Sequence, residues 1–296
     1  MALASTRDTT PVILTTGSTP LAIIVAGGIP GPAVNLPTRD LTNTLRVPIE
    51  VTELHFVVDE PPLGTLVTGG IIYDGFEINL SIGRHSITQG FCPLIALGLR
   101  RDSDRSEGVN ISPIFANTIR WVLPTPLLVA PNESFNGSIR LSPILSPYGA
   151  NGTVHLSMAA RARRLPPGTP VAGPRAVPYA SGFIFTIANR PPPDSTFQNP
   201  FNRVLHVTSI NANPIANDFD SVPGRITVNS PGGLSNTVLR GMVNGGLAGA
   251  VFAQRQALEE AHDLNPREAH QVTLSDPTDA GDTHGTAVAL IGWREE

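Results

Sequence analysis

One stretch of the sequence occurs twice: residues 131–143 are PNESFNGSIRLSP, and residues 266–277 are PREAHQVTLSDP. Both copies place a Glu two residues after a Pro, and both continue to a Leu-Ser pair ahead of a further Pro. Each is followed by a polar loop and then by an apolar segment that opens with Gly-Thr, at residues 152–158 and 285–291. This common order predicts two copies of one strand-rich structural unit.

The spacing between the copies changes along the chain. The Pro-x-Glu motifs lie 135 residues apart and the Gly-Thr pairs lie 133 apart, an alignment that pairs Met158 with Ile291. Upstream, Arg46 aligns with Arg203 at an offset of 157, after which the second copy lacks one residue. We therefore expect two diverged copies whose connecting loops differ in length.

Residues 44–58 have the alternation of a strand. Their apolar side chains hold odd positions as far as Val51 and even positions from Leu54, and this change of phase predicts a β-bulge near Thr52 and Glu53. In the next strong strand pattern, alternation predicts four inward-facing side chains: Phe76, Ile78, Leu80 and Ile82.

Glycine and proline indicate the fold class. The 296 residues include 28 Gly and 29 Pro, a density that interrupts helices and favours short strands joined by turns. We predict an all-β protein of two tandem antiparallel β-sandwiches, jelly-roll-like, with at most one or two short helices. The predicted parts are an extended N-terminal arm (1–43), a first β-sandwich (44–165), a Pro-rich linker with a connecting strand (166–199) and a second β-sandwich (200–296).

Two parts of this division have distinctive patterns. The arm is apolar but broken by prolines such as Pro11, Pro20 and Pro30, so we expect an extended segment that lies on its own domain or on a neighbour's. Within residues 247–263, apolar side chains recur at helical spacing, which predicts a short helix across one end of the second sandwich. A pair of strands is the competing interpretation of the same segment.

Few residues of the chain are charged. They make up 15% of it and the net charge is −4, whereas typical soluble proteins are about 25% charged. A surface of Ser, Thr, Asn, Gly and Pro loses little desolvation energy when it meets another uncharged protein surface. No overall positive field attracts nucleic acid, so we expect no specific nucleic-acid partner.

The basic residues, all of them arginine, include one local cluster. Arg161, Arg163, Arg164 and Arg175 lie in a Pro-rich segment. Such a cluster could bind a packaged genome or an acidic neighbour, but we favour its interpretation as a solvated linker.

Cysteine content and hydropathy bear on location. Cys92 is the sole cysteine, so no internal disulfide is expected, and its place in an apolar run predicts a buried small side chain. The first residues show no basic-plus-apolar leader, and apolar runs such as residues 21–26 are far shorter than the ~20 residues that span a bilayer. We expect a protein that is neither secreted nor membrane-spanning.

We find no catalytic motif in the sequence, and we expect no enzymatic activity, cofactor or metal. Two carboxylate pairs, Glu50 with Glu53 and Asp218 with Asp220, have the residue type for glycoside cleavage, yet pairs this close in sequence are common by chance. His155 alternates with apolar residues, which is more typical of a sheet residue than of a metal ligand.

Two loop segments resemble binding sites in composition only. Asp276, Asp279, Asp282 and His284 could gather around a hard cation, but their spacing matches no calcium loop and we favour a solvated hairpin loop. Residues 241–249 are glycine-rich and precede the predicted helix, yet they lack the Lys of a phosphate loop, which indicates a flexible turn.

The pattern Trp-x-Leu-Pro-x-Pro-Leu at residues 121–127, the Pro-x-Glu turns, the proline-bounded strands and the leading arm resemble β-sandwich virion proteins of bacteriophages. Double jelly-roll coat proteins of tailless phages share the tandem plan, and accessory or decoration proteins of tailed-phage heads offer a second model. The resemblance implies a capsid or capsid-associated subunit that binds copies of itself and other virion proteins. It also implies a location in the virion after synthesis in the host cytoplasm.

Two other classes of function remain open at this point. A receptor- or carbohydrate-binding module of a viral fibre or spike should carry clustered exposed aromatic side chains, whereas Trp121 and Trp293 are far apart in the sequence and aromatic residues make up 5% of it. A glycan-cleaving enzyme on a β scaffold would need a working carboxylate pair such as Asp218 with Asp220.

Overall fold

The computed structural model describes the following residues: 11–15, 19–23, 25–26, 29–30, 36–37, 40–59, 76–97, 99–100, 118–141, 152–171, 174–186, 196–214, 225–229, 235–239, 254–275 and 285–296. Most of them belong to β-strands, and the strands pair antiparallel into several sheets, as in β-sandwich jelly-roll folds. The predicted fold class, an all-β protein of antiparallel sheets, is confirmed.

The strands of the first half are β1 (Pro11–Thr15), β2 (Thr19–Ile23), β3 (Val25–Ala26), β4 (Ile29–Pro30), β5 (Leu36–Pro37), β6 (Leu41–Thr42), β7 (Ile49–Asp59), β8 (Phe76–Ile82), β9 (His85–Ser86), β10 (Cys92–Pro93), β11 (Leu99–Arg100), β12 (Thr118–Val129), β13 (Ser134–Leu141) and β14 (Gly152–Arg164). One helical turn, α1 (Leu94–Leu97), lies between β10 and β11. The strands of the second half are β15 (Ala176–Thr186), β16 (Thr196–Gln198), β17 (Leu205–Pro214), β18 (Arg225–Asn229), β19 (Ser235–Leu239), β20 (Gln254–Leu264), β21 (Ala269–Ser275) and β22 (Gly285–Glu295).

The first sandwich consists of two sheets around one core. One sheet has the order β1-β14-β7-β12-β11, with β2 also paired to β14, and the other has the order β10-β8-β13-β5, with β6 on β13 and β9 on β8. The four residues of β8 that alternation predicts to face inward are all buried. On the other sheet, β7 buries Ile49 and Val51, and then Leu54 and Phe56. Facing apolar layers of this kind hold a β-sandwich together.

The second sandwich repeats this plan. One sheet has the order β15-β22-β17-β20 and the other has the order β16-β21-β18-β19. Phe183 on β15 contacts Phe197 on β16, with 4.7 Å between ring centroids, which joins the two sheets. By pairing, β22, β17 and β20 correspond to β14, β7 and β12, while β16, β21 and β18 correspond to β6, β13 and β8. The repeat seen in the sequence is therefore a repeat of strand order.

The two halves share a β-bulge. Thr52 on β7 and Thr208 on β17 are each skipped in the register with the neighbouring strands. The Thr52 hydroxyl donates to the Arg161 carbonyl at 3.3 Å. The Thr208 hydroxyl donates to the Ile291 carbonyl, also at 3.3 Å. The bulge predicted near Thr52 and Glu53 is confirmed, and the second sandwich repeats it.

The strand on the other side of each bulge is interrupted in the same way. Residues 123–126 of β12 fall outside the ladder with β7, and residues 258–261 of β20 fall outside the ladder with β17. Both interruptions lie opposite the skipped threonine. A matching defect on two neighbouring strands indicates that the sandwiches are copies of one unit.

A buried asparagine precedes the first long strand of each sandwich. Asn43 is 0% exposed and Asn199 is 1% exposed. In the first sandwich the side-chain amide donates to three backbone carbonyls, those of Val47, Val129 and Ala130. In the second sandwich it donates to the carbonyls of Arg203 and Leu264. In both, the side-chain oxygen accepts from the backbone amide two residues further on.

The same asparagines anchor the Pro-x-Glu turns. The Asn43 backbone bonds to Asn132 and Glu133, and the second sandwich repeats both bonds. Asn132 and its counterpart Arg267 adopt left-handed backbone conformations, with φ of 62° and 69°. The Glu133 carboxylate accepts from the Ala130 amide at 2.9 Å and so closes the turn, and this bond also recurs. The repeated motif of the sequence is therefore one turn, built twice.

Between the buried asparagine and the threonine bulge of each sandwich, the alignment of the two copies inferred from the sequence is wrong by one residue. The carbonyls of Val47 and Arg203 accept equivalent bonds, which fixes the offset at 156 rather than 157. No residue is missing from the second copy, and Arg46 corresponds to Asn202. Both of these side chains are exposed, so packing does not constrain their identity.

After the turn, the Leu-Ser alignment is wrong by two residues. Strand β13 pairs with β6 in the same register as β21 pairs with β16. The difference in residue number between the two copies therefore stays at 135, as at the Pro-x-Glu turns. Leu274 therefore corresponds to Ile139 and not to Leu141. Because strand side chains alternate, a displacement by two preserves the inward pattern and is hidden in the sequence.

The Gly-Thr alignment is wrong by three residues. Met158 pairs with Phe56, and Val288 pairs with Ala212, which holds the place of Phe56 in the second sandwich. The counterpart of Met158 is therefore Val288 rather than Ile291. The two strands correspond, but β22 begins three residues later in the common register.

The predicted helix at residues 247–263 is wrong where the structure describes it. Residues 254–264 form β20, which pairs with β17, while residues 247–253 lie outside the described residues. The segment is rich in Ala, Leu, Glu and Gln, whose helix preference amounts to a few tenths of a kcal/mol per residue. Completing the sheet and burying Leu264 outweighs that preference.

The arm and the linker are partly built into the sheets. β1 and β2 both pair with β14, so these parts of the predicted arm lie on the chain's own first sandwich. The Pro-rich segment shortens because β14 extends to Arg164 and β15 begins at Ala176. β15 pairs with the whole of β22, in the place that β1 and β2 hold in the first sandwich. The domain boundaries stay a prediction.

Replacing either buried asparagine by alanine should destabilise the protein. Asn43→Ala and Asn199→Ala leave buried carbonyls without their donor, so we expect the free energy of unfolding to fall by about 2–4 kcal/mol. Asn136→Ala, at an exposed position of β13, is the matched control and should stay within about 0.5 kcal/mol of wild type. Urea unfolding measures all three. An unchanged midpoint in both buried variants would contradict the role given to these residues.

Candidate functional site

The second sandwich packs one sheet against the first, and this contact, here called the junction, is the candidate functional site. Three residues of β22 join the hydrophobic core of the first sandwich: Ala287, Ala289 and Ile291. The intervening Val288 and Leu290 face the other way and are also buried. On the side of the first sandwich, β10, α1 and β12 supply the contacts. Strand β22 is thus buried on both faces, and one core cluster crosses the junction.

Close approach at the junction requires glycine at position 182. A Cβ at Gly182 would lie 2.6 Å from the Cys92 sulfur and 3.0 Å from the Pro93 side chain. Cys92 is fully buried, and burial raises the pKa of its thiol because it removes the thiolate from water. The predicted role of Cys92 as a buried small side chain is confirmed.

A backbone bridge covers the edge of β15 at the junction. Residues 87–89 run parallel to it, with Thr88 opposite Ala180. The Ala180 amide donates to the Ile87 carbonyl, and the Gln89 amide donates to the Ala180 carbonyl, both at 2.8 Å. Ala180 is fully buried. The first sandwich thus supplies the backbone partners that an edge strand otherwise offers to other chains.

A buried arginine crosses the same contact. Arg294 on β22 is 1% exposed, and its Nη2 donates to the Ser86 carbonyl of the first sandwich at 2.9 Å. Its Nε donates to Glu296 at 2.6 Å, and the guanidinium lies 3.7 Å from the centre of the Phe201 ring. Burial lowers the pKa of Arg294, while Glu296 opposes that shift. The carboxylate and the ring face offset part of the desolvation of the cation, while Nη1 is buried without a hydrogen-bond partner among the described residues.

A cleft of about 550 Å³ opens beside Glu296, the partner of Arg294. Arg84 and His85, the Pro-x-Glu turn of the first sandwich, Arg175 and Glu296 contribute to its walls. Arg175 lies before β15 and its Nη1 is 3.0 Å from the Glu133 carboxylate. The acid of the repeated motif therefore ties the connecting segment to the first sandwich.

The charges of the cleft are balanced. Arg84 and Arg175 face Glu133 and Glu296, and burial lowers the pKa of His85, a shift that Arg175 reinforces and Glu296 opposes. An ionic ligand would meet no net charge of the opposite sign there. The arrangement is suited to holding the connecting segment and the two sandwiches together rather than to acid–base chemistry.

The carboxylate pair on β7 is held by arginines. Glu53 accepts from Arg120 at 2.8 Å and 3.1 Å, and these bonds hold the pKa of the Glu53 carboxyl below its usual value. Glu50 pairs with Arg163. A glycosidase needs one carboxyl with a raised pKa, so this environment opposes that role. Asp218 and Asp220, the other candidate pair, lie outside the described residues.

The arginine cluster is not a solvated linker along its whole length. Arg161, Arg163 and Arg164 belong to β14, so that interpretation is wrong for them. The clustered arginines with a glutamate partner are Arg161, Arg163 and Arg175. Paired charges of this kind leave only a weak local field for nucleic acid.

The remaining sequence candidates do not form a site in the part of the chain that the structure describes. His155 lies in β14 opposite Asp59. The glycine-rich residues 241–249 lie outside the described residues, as do the four residues of the acidic loop: Asp276, Asp279, Asp282 and His284. Among the residues that are described, no three His, Cys, Asp or Glu side chains gather as a metal ion would require.

The two tryptophans do not form an aromatic platform together. Trp121 is 1% exposed in the first core, whereas Trp293 stacks on His206 with 4.2 Å between ring centroids. A sugar-binding surface made from both is therefore excluded. Within the described segments, no helix is long and apolar enough to cross a bilayer.

Comparison with known proteins identifies similar structures but no family. No family model matches the sequence, and no curated protein matches it. Similar solved structures include viral major capsid proteins. The STIV MCP crystal structure has a TM-score of 0.45 at 9% identity, over 95% of this chain and 96% of that chain. An atomic structure of Sulfolobus Turreted Icosahedral Virus has a TM-score of 0.48 at 10% identity, over 95% and 90%. PBCV-1 VP54, fitted into a reconstruction of the virophage Sputnik, has a TM-score of 0.39 at 11% identity, over 99% and 95%.

A side chain at position 182 should weaken the junction. We expect Gly182→Ala to lower the free energy of unfolding by about 1–3 kcal/mol, because its Cβ meets the Cys92 sulfur. Cys92→Ala makes room for that Cβ, so the double variant should lose less stability than the two single losses together. Urea unfolding of the four proteins gives the coupling. Strict additivity would contradict the contact.

His85 should make the protein less stable in acid. The pKa of His85 lies below its ordinary 6.5, so the unfolded chain binds a proton that the folded chain resists. The stabilisation is fully present above pH 6.5 and is lost as the pH falls towards the folded-state value.

His85→Asn should therefore flatten the decline of unfolding free energy between pH 7.5 and about 5.5. Urea unfolding of both proteins at each pH measures the decline, and the other histidines cancel in the comparison. A wild-type slope in the variant would contradict this assignment.

Proposed function

We propose that this protein is a structural subunit of a virus particle, a capsid or capsid-associated protein that works by self-association. The observation that carries the proposal is the junction, where one sandwich covers strands β15 and β22 of another and a sheet edge beside them. A chain made of two such units contains one sandwich-to-sandwich contact already formed. Copies of the unit can repeat that contact between chains, which is what a shell requires.

The surface chemistry supports the same proposal. Charged residues make up 15% of the chain, and both glutamates of β7 have arginine partners on β14, Glu50 with Arg163 and Glu53 with Arg161. Such a surface loses little on desolvation and sets up little repulsion between identical copies. A shell subunit must bury large areas against itself, so both properties favour assembly.

The finer parts of the proposal rest on the sequence. We assign the particle to a bacteriophage because of the resemblance carried by residues 121–127 and the Pro-x-Glu turns. On the same ground we propose that the partners are copies of the chain and other virion proteins, and that the protein is made in the host cytoplasm and resides in the virion. We propose that the protein has no enzymatic activity.

The proposal predicts that the protein is a stoichiometric component of purified particles. Quantitative mass spectrometry of gradient-purified virions should give many copies per particle, and antibody labelling in electron microscopy should place them on the shell. In parallel, size-exclusion chromatography with light scattering should show that the purified full chain associates as its concentration rises. A monomer at all concentrations, together with absence from particles, would overturn the proposal.

A further inference from the structure

We propose that the free edge of β1 binds β19 of a second copy of this chain, reproducing between chains the bridge that residues 87–89 make to β15 within one chain. This inference rests on the proposed function, because it names a surface through which the copies associate. It follows from comparing equivalent positions in the two sandwiches.

Strand register identifies Ile13 as the counterpart of Ala180. Ile13 pairs with Arg161, and Ala180 pairs with Ile291. Arg161 and Ile291 hold the same place beside the two bulges, since each carbonyl accepts from the bulge threonine. The amide and carbonyl of Ala180 project from the edge to residues 87–89. The matching register directs the amide and carbonyl of Ile13 away from β14 in the same way.

The two positions differ in what covers them. Ala180 is fully buried, whereas Ile13 is 73% exposed, the exposed large hydrophobic residue of the described segments. The neighbouring Leu14 is buried and Val12 packs against the core, so the inner side of β1 is packed and its outer side is exposed. Among the described strands, the outer edge of β1 has no partner. An apolar, unpaired edge is a template for strand addition.

The chain itself contains the segment that fits this edge. Ser86 and Ser235 pair with equivalent residues of β8 and β18. Two residues after Ser86 lies Thr88, which bridges to Ala180. Two residues after Ser235 lies Thr237, on β19. In the described part of the chain β19 pairs with β18 alone and is the outer strand of its sheet.

The outer face of β14 supports the same docking. Three of its residues hold the places of Ala287, Ala289 and Ile291, which the junction buries: Ser157, Ala159 and Arg161. Two of the three are small, so a second sandwich can approach this face closely. The resulting contact joins the first sandwich of one copy to the second sandwich of the next. Such a head-to-tail contact closes into a ring or extends, according to the rotation between copies.

Engineered disulfides test the contact directly. Residues that bridge adjacent parallel strands have Cα atoms about 5 Å apart, within the span of a disulfide. We would oxidise Ile13→Cys, Thr237→Cys, the double variant and a control double variant, Ile13→Cys with Asn136→Cys, whose second site is exposed on β13. Non-reducing gel electrophoresis then separates covalent multimers from monomers. The native Cys92 is fully buried and serves as a common background.

The expected result is a ladder of covalent multimers from the Ile13→Cys and Thr237→Cys double variant, and monomers from both single variants and the control. Dimers of Ile13→Cys alone would overturn the proposal in favour of symmetric pairing of two β1 edges. Monomers from the double variant would also overturn it. Light scattering on the same samples distinguishes this proposal from the proposed function. Association without cross-links would rule out the contact between β1 and β19 but leave the proposed function standing.

A charged substitution gives an independent measure. Ile13→Asp places a carboxylate on the proposed contact and should weaken association by about tenfold or more, which light scattering detects as a shift in the concentration for assembly. Because Ile13 is exposed in the single chain, the thermal midpoint measured at low concentration should not change. Association equal to that of wild type would overturn the proposal. Asn136→Asp, an equally exposed site elsewhere, controls for added charge.

Discussion

The structure depends on one strand, β22, that is buried on both faces. In β22, alternate residues enter two different cores: Ala287, Ala289 and Ile291 enter the first sandwich, while Val288 and Leu290 enter the second. A strand with one solvated face would show polar residues at every other position. Here both faces must be apolar, and small residues are required around Gly182, where the first sandwich approaches most closely. In the described part of the chain, the outer edge of β1 is the equivalent surface of the first sandwich and has no such cover.

The two sandwiches are built by the same few devices. Each has a threonine bulge on its first long strand, β7 or β17, and each has a buried asparagine that satisfies carbonyls at the start of the sheet. Each also has a Pro-x-Glu turn that the asparagine holds through its backbone. These devices restrict strand register, which apolar alternation alone leaves open to slips by two residues. They account for a common strand order in halves whose sequences otherwise differ.

Much of this was visible in the sequence, at the points where a local pattern has one physical cause. The phase change around Thr52 predicted the bulge, and the spacing of Pro and Glu predicted the repeated turn. The equivalence of Gly152 with Gly285 failed because alternating apolar residues fit several registers equally well. The β20 segment was interpreted as a helix because its composition favours one, and only the partner strand β17 decides otherwise.

The buried asparagines and the residues that make the junction could not be predicted in the same way. Asn43 and Asn199 are separated by the same number of residues as the two bulge threonines. The alignment of Arg46 with Arg203 concealed this signal. Gly182 and Arg294 have no local motif, because their importance comes from side chains far away in the chain. Cooperation between distant segments of this kind appears only once the strands are placed in space.

The central claim, that a strand buried on both faces joins the two sandwiches into one body, is tested most directly by differential scanning calorimetry of the full chain. The account predicts one cooperative transition whose calorimetric enthalpy equals its van't Hoff enthalpy, because neither sandwich keeps its core when the other unfolds. Two separate transitions, each with its own van't Hoff enthalpy, would contradict it.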